Sequence, residues 1–292
     1  MPNPLELRRR IRSVDNTRQI TRAMQLVAAS RMRRAQDAAD AARPYAHEIL
    51  DLMQGLISAS GSELLPPLLQ PRPVEHVAYL VMTTNRGLCG ALNSNVVRLA
   101  VEEIEEAQRS AGVSVIVVGR RGRISLGRTV PMLAAFTDIT DRPKSADILP
   151  IANMVIEGYL AGDFDEVQII YPEFINTLTQ RPKAVRLLPV VLPEETNPRD
   201  ADVIFEPDPS TVLEAIVPRF VETVLYHSLL ELTASEQSAR MVAMRAATDN
   251  ASELKLAWTF STGTTGNNQA TPIFHDGILY FPVHGQTVLA VD

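Results

Sequence analysis

Apolar residues recur at alternating steps of four and three along both ends of this chain. That repeat confines each end to a long helix lying against another helix. In the first segment Ala28, Met32, Ala35, Ala39, Ala42, Ala46, Ile49, Met53 and Leu56 keep the spacing unbroken. In the last, Leu230, Ala234, Gln237, Met241, Met244, Thr248 and Ala251 do the same. Residues 4–57 and 209–254 therefore read as helix, and two such ends paired antiparallel make a shaft. Shafts transmit force and position partners. Many seam positions are alanine, so the axes can approach closely. Carried toward the N-terminus, the same phase meets Arg18, Thr21 and Gln25 before Val14, Ile11 and Leu7. Either the contact face rotates there toward Ile20, Met24 and Val27, or this stretch meets another molecule; a rotation is the expectation. Pro44 and Pro218 each remove a backbone bond and should bend their helices. Asp208-Pro209, an acidic cap followed by proline, starts the last helix.

Between the helices the period changes. His76–Met82, Val113–Gly119 and Glu166–Tyr171 read as buried strands, and 95–110 and Ala146–Leu160 as helices. Phe174–Leu178 and Ala184–Leu192 read as a hairpin around Gln180-Arg181-Pro182. Strands alternating with helices predict a three-layer α/β domain with a mainly parallel sheet. Pro66-Pro67 to Pro73 cannot be helix interior and reads as a linker. The expected division is 1–58 N-terminal helix, 59–75 linker, 76–207 α/β domain, 208–254 C-terminal helix and 255–292 a separate tail.

Composition narrows the function. With 46% apolar residues in 292, the chain can build a core, and disorder is excluded. One cysteine, Cys89, makes neither an internal disulfide nor a cysteine zinc site. No apolar run approaches the ~18 residues of a spanning helix, and the start enters helix without a signal region, so a cytosolic protein is expected. The net charge of −6 hides an asymmetry. The first helix holds Arg8, Arg9, Arg10, Arg12, Arg18, Arg22, Arg31, Arg33 and Arg34 against Glu6 and Asp15. Either this is a solvated face or an acidic partner meets that end. Nucleic acid fits poorly, because no aromatic interleaves the arginines. Gly87 and Gly90 lie in a strand-to-helix turn, yet they make neither a dinucleotide fingerprint nor a phosphate loop. A nucleotide- or phosphate-binding α/β enzyme stays as an alternative. His47, His76, His227, His275 and His284 are scattered without metal-ligand spacing. No catalytic, cofactor-binding or metal residue is expected.

Three segments together resemble the gamma-subunit family of the F-type ATP synthase. They are Arg8-Arg9-Arg10-Ile11-Arg12-Ser13-Val14 with Asn16–Met24 and Val27–Ser30; Arg86-Gly87-Leu88-Cys89-Gly90-Ala91-Leu92-Asn93; and Ala234–Met244 with Ala247–Ala251. Their order and spacing match the family over about residues 2–254. The resemblance implies α/β architecture: a long bent antiparallel coiled coil of the terminal helices plus a three-layer Rossmann-like domain. It implies a non-catalytic central-stalk rotor, coupling proton-driven ring rotation to the catalytic sites of the alpha and beta subunits. The implied partners are the alpha, beta and epsilon subunits and the membrane c-ring. The implied place is peripheral, on the cytoplasmic face of the bacterial inner membrane, without insertion or nucleic acid. It also puts Met24 and Arg240 where the shaft faces an acidic loop of the beta subunit.

After Glu253 the pattern changes. Only Lys255, Asp276 and Asp292 are charged there, while Trp258, Phe260, Phe274, Tyr280 and Phe281 gather in it. Asp276-Gly277 and His284-Gly285 read as hairpin turns. Trp258, Phe260, Thr262-Gly263, Thr271-Pro272, Asp276-Gly277, Leu279-Tyr280 and Ala290-Val291-Asp292 are similar to one blade of a quinoprotein-type β-propeller. A single blade cannot bury its faces alone, so no quinone and no dehydrogenase activity are expected. A defective product of gene fusion is the other reading. The family's last helix runs on to form the tip of the shaft, so this one is expected to be short and to leave Leu7, Ile11 and Val14 uncovered.

Overall fold

The computed structural model describes residues 4–60, 65–191, 206, 208–257 and three short strands, 273–275, 278–283 and 287–291. The chain divides into two compact units, Arg22–Arg245 and the paired ends Met1–Thr21 with Ala246–Asp292. Helices α1 (Pro4–Ser60) and α5 (Pro209–Ala257) contribute to both. Both helix assignments continue across their internal prolines, Pro44 and Pro218.

The larger unit is built on five strands: β1 His76–Met82, β2 Gly112–Val118, β3 Met132–Phe136, β4 Glu166–Phe174 and β5 Gln180–Leu188. Their order is β3-β2-β1-β4-β5. The first four run parallel and β5 is antiparallel to β4. Helices α2 (Leu92–Ala107), α3 (Arg120–Leu126) and α4 (Leu149–Ala161) make the crossovers. Successive side chains of a strand point to opposite faces, and β1 divides its residues accordingly. Val77, Tyr79 and Val81 pack with Val96, Ala100 and Ile104 of α2 and Leu126 of α3. Ala78, Leu80 and Met82 join the larger core, with Ile49, Met53 and Leu56 of α1, Ile151 and Val155 of α4, and Leu213, Val217, Val221, Leu225 and Leu229 of α5. Within this unit the terminal helices thus form one wall of the domain.

That packing alters the seam in α5. Ser228, Leu230, Leu232, Thr233, Ala234, Ser235, Gln237, Ser238 and Arg240 are all buried, which covers every side of the helix. A helix walled in on all faces has no single seam. In α1 the seam holds at Ala28, Ala35, Ala39, Ile49, Met53 and Leu56. The expected rotation of its face does not occur. Thr21 is buried, while Ile20 and Val27 are more than half exposed. The polar position survives because Thr21 finds a partner: its Oγ1 lies 2.8 Å from Oγ1 of Thr248.

Two local expectations are corrected. The hairpin turn lies at 175–179 and not at 180–182; Gln180, Arg181 and Pro182 pair in the ladder with Phe174, Glu173 and Pro172. Pro182 fits because β5 is an edge strand with one side unpaired. Helix α3 and strand β3 were not anticipated.

In the smaller unit Thr21–Thr248 joins the two helices, and Arg18 pairs with Asp15 at 3.0 Å. Ile11 and Val14 are half-buried rather than uncovered, and α5 runs on to Ala257; Leu7 lies outside the described side chains. Strands β6 (Ile273–His275), β7 (Ile278–Val283) and β8 (Thr287–Val291) form an antiparallel sheet in the order β6-β7-β8.

Candidate functional site

Residues of the second and third of those sequence segments meet at one joint of the larger unit, where α5 passes the carboxyl end of the sheet. The joint is built outward from the turn after β1. Thr83 is buried there, donating from Oγ1 to Val118 O at 2.9 Å and accepting from Gly122 N at 2.8 Å. Gly119 is obligatory beside it: its φ is +93°, and a Cβ would stand 2.1 Å from Thr83 O. Asn93 closes the turn, with Oδ1 accepting from Thr84 N at 3.0 Å and Nδ2 donating to Thr84 Oγ1 at 2.9 Å. Leu88 and Gly90 both take left-handed backbone angles, φ 62° and 57°. The polar groups of Thr83, Thr84 and Asn93 are thus spent on the turn itself.

Helix α5 is pinned to this turn and to the β4–β5 hairpin. Ser235 Oγ donates to Pro172 O at 3.0 Å and Ser238 Oγ to Thr177 O at 2.6 Å. Arg240 Nη2 donates to Gly87 O at 3.1 Å and to the Glu236 carboxylate one helical turn away. Both side chains of that pair are about a tenth exposed. Burial pushes the Glu236 carboxyl up from its ordinary range, and the Arg240 charge pulls it back down. Cys89, also buried, has its thiol raised by the same loss of water, which leaves it a poor nucleophile.

Helix α1 reaches the joint through Arg31, whose guanidinium meets the Asp141 carboxylate at 2.5 Å. Arg86 approaches the same oxygen at 3.5 Å. Asn85 adds a second tie to that segment, donating from Nδ2 to Ile139 O at 2.8 Å and accepting from Arg120 N at 3.0 Å. An open groove of about 1380 Å³ runs alongside, lined by α1 from Leu26 to Ala38, by Asn85, Arg86 and Arg120, and by 137–143. A smaller cavity of about 20 Å³ is lined by both Asp141 and Glu236.

Of the two residues singled out in the sequence, Arg240 lies at the centre of this joint, buried and bonded within the chain. Met24 is half-buried on α1. Arg31, Asp141, Ser235, Glu236 and Ser238 were not singled out. Glu236 and Arg240 could have been paired from their spacing of four on a helix; Asp141 carries no such signal. Among the described residues no group of His, Cys, Asp or Glu could hold a metal ion, and no helix is long and apolar enough to cross a membrane. The arrangement holds parts together and brings no nucleophile, base and orienting group into line.

A family model described as ATP synthase matches residues 3–263, nine residues past the limit of the resemblance seen in the sequence. The ATP synthase gamma chain of Roseiflexus castenholzii is 48% identical over 268 residues, covering 91% of this chain and 92% of the relative. That of Chloroflexus aurantiacus is 48% identical over 260 residues, 87% and 89% of the two chains. Among solved structures, a chain in the central stalk and c-ring of the Tetrahymena thermophila mitochondrial ATP synthase aligns with a TM-score of 0.61 and 25% identity, over 78% of this chain and 99% of that one.

Proposed function

The chain belongs to the ATP synthase gamma-chain family, and from that premise we propose that it is a non-catalytic rotor, carrying rotation from its α/β domain to its paired helices. In this reading it serves as the gamma chain of an ATP synthase, with alpha, beta and epsilon subunits and the c-ring as its partners. The observation that carries the mechanical reading is the joint. Torque passes from a foot to a shaft only if the two turn together, and here α5 is bonded to the sheet at Pro172, Thr177 and Gly87 while α1 is held at Asp141.

In this reading proton flow turns the c-ring, the foot follows, and an asymmetric shaft presents successive faces to the catalytic subunits. The protein would work at the cytoplasmic face of the bacterial inner membrane. Met24 and Arg240 remain the proposed contacts to an acidic loop of the beta subunit. Met24 would meet it directly. Arg240 would act through the 86–90 turn it holds, since its guanidinium is engaged within the chain. The antiparallel sheet β6–β8 supports reading the tail beyond Ala257 as a separate β-rich element, for which a propeller-blade type is proposed. The test is reconstitution with alpha and beta subunits and observation of single complexes. ATP-driven rotation of a bead on this chain is expected; a chain that never co-purifies with them would overturn the proposal.

A further inference from the structure

Most charged residues at the joint have a plain role, but Asp141 stands apart. It lies on the segment after β3, at the edge of the sheet, and its carboxylate faces arginines from two other parts of the fold. Arg31 comes from α1 at 2.5 Å and Arg86 from the turn after β1 at 3.5 Å. The Asp141 and Arg31 side chains are about one third exposed, while Arg86 is two thirds exposed. On the far side of the 20 Å³ cavity stands Glu236, whose own arginine, Arg240, holds Gly87 next to Arg86. One carboxylate therefore meets two cations carried by different elements of the fold.

We propose that Asp141 is a positioning residue, the hub of an electrostatic latch that locks helix α1 to the α/β domain. Its mechanical meaning rests on the rotor reading. Helix α5 is fixed to the foot by hydrogen bonds from Ser235, Ser238 and Arg240 to backbone carbonyls, which hold whatever the neighbouring side chains are. At this joint α1 has the Arg31–Asp141 pair as its polar tie to the loop after β3. The latch divides the work between the two helices. Hydrogen bonds fasten α5 to the foot, and the ion pair fastens α1 to the 137–143 segment.

Hydrogen exchange of the amides in 137–143, followed by mass spectrometry on the isolated chain, tests the latch by itself. Asp141→Ala is expected to speed that exchange about fivefold, the order of a strong, partly exposed ion pair. Arg31→Ala should speed it about twofold or more. Added to Asp141→Ala, Arg31→Ala should do nothing further, because its partner is already gone. Circular dichroism checks that each variant is folded, and Asp141→Asn replaces the alanine variant if that one is not. Additive effects, or no effect from either substitution, would overturn the latch. A second arm separates the latch from the rotor reading. In membranes reconstituted with the whole complex, Asp141→Ala should leave ATP turnover intact while protons moved per ATP fall at least about twofold. An unchanged ratio overturns the mechanical role. If even the unsubstituted chain fails to assemble, the rotor reading falls while the exchange result stands.

Discussion

Replacing Arg240 by methionine removes a charge and little volume, and the surroundings of the side chain determine the consequence. The guanidinium is the cation beside Glu236, and both side chains are about a tenth exposed. Removing one partner of such a pair leaves an uncompensated buried charge, which costs about 3–5 kcal/mol. Gly87 O also loses its donor. The pH dependence separates this cause from simple misfit. Burial already holds the folded-state pKa of Glu236 above its ordinary value, with Arg240 opposing; without Arg240 it climbs further. A carboxyl with a raised folded pKa binds more protons folded than unfolded, so its contribution to stability falls as pH rises through that value. The deficit of Arg240→Met should therefore be larger at about pH 8 than at about pH 5, because acid favours protonation of Glu236 and removes the stranded charge. Adding Glu236→Gln should recover most of the loss at the higher pH. Urea unfolding followed by far-ultraviolet circular dichroism measures all three chains. A deficit that is the same at both pH values, or one that Glu236→Gln does not reduce, would refute the account of a stranded buried carboxylate.

Three glycines should answer alanine differently in the same urea assay. Gly119→Ala meets both a φ of +93° and Thr83 O at 2.1 Å, and should cost at least about 2 kcal/mol; Gly90→Ala meets only an unfavourable φ in open space, for about 1 kcal/mol; Gly55→Ala, within α1 and unobstructed, should gain about 0.5–1 kcal/mol. Gln237 is buried with an Nε2 that has no partner among the described residues, so Gln237→Met should raise stability by about 1 kcal/mol, and a loss of that size would show the amide to be held. Asp208 accepts from Ser210 Oγ at 2.5 Å and, capping α5, from Thr211 N at 2.9 Å, and these bonds lower its carboxyl to about 2. A depressed carboxyl stabilises above its unfolded pKa and the benefit is lost as pH falls through its folded value, so the protection of amides 211–213 relative to their intrinsic exchange rates should fall from about pH 4 toward 2, and Asp208→Ala should abolish that dependence.

Long-period patterns were legible in the sequence and short ones were not. The seam of α1 and strand β1 came out as read because burial on one face, or on both, writes itself into many residues at once. Strand β3 escaped because it is a five-residue edge strand in which Leu133 and Ala135 are exposed, so half of it obeys no burial constraint. Helix α3 escaped with it. Arg120, Arg121 and Arg123 stand exposed around Gly122, which is small because Thr83 and Val117 crowd it, and that mixture looks like a loop. The hairpin turn was displaced because Pro182 imitates a turn residue, whereas an edge strand tolerates a proline.

The joint was hard to read for a different reason. Ser235, Ser238 and Arg240 all end on backbone carbonyls, of Pro172, Thr177 and Gly87. A carbonyl is supplied by every residue, so the accepting side of each bond leaves no mark in the sequence. The donors alone show, and on a helix they look like a polar interruption of a seam. The Asp141 contacts do pair side chain with side chain, but their partners lie far apart in the chain, where no spacing rule connects them. Alanine substitutions should therefore be costly at Ser235, Ser238 and Arg240 and mild at the residues whose carbonyls receive them. Asp141 is the position where the two sides can be tested as a pair, and that reciprocity is what makes its role measurable.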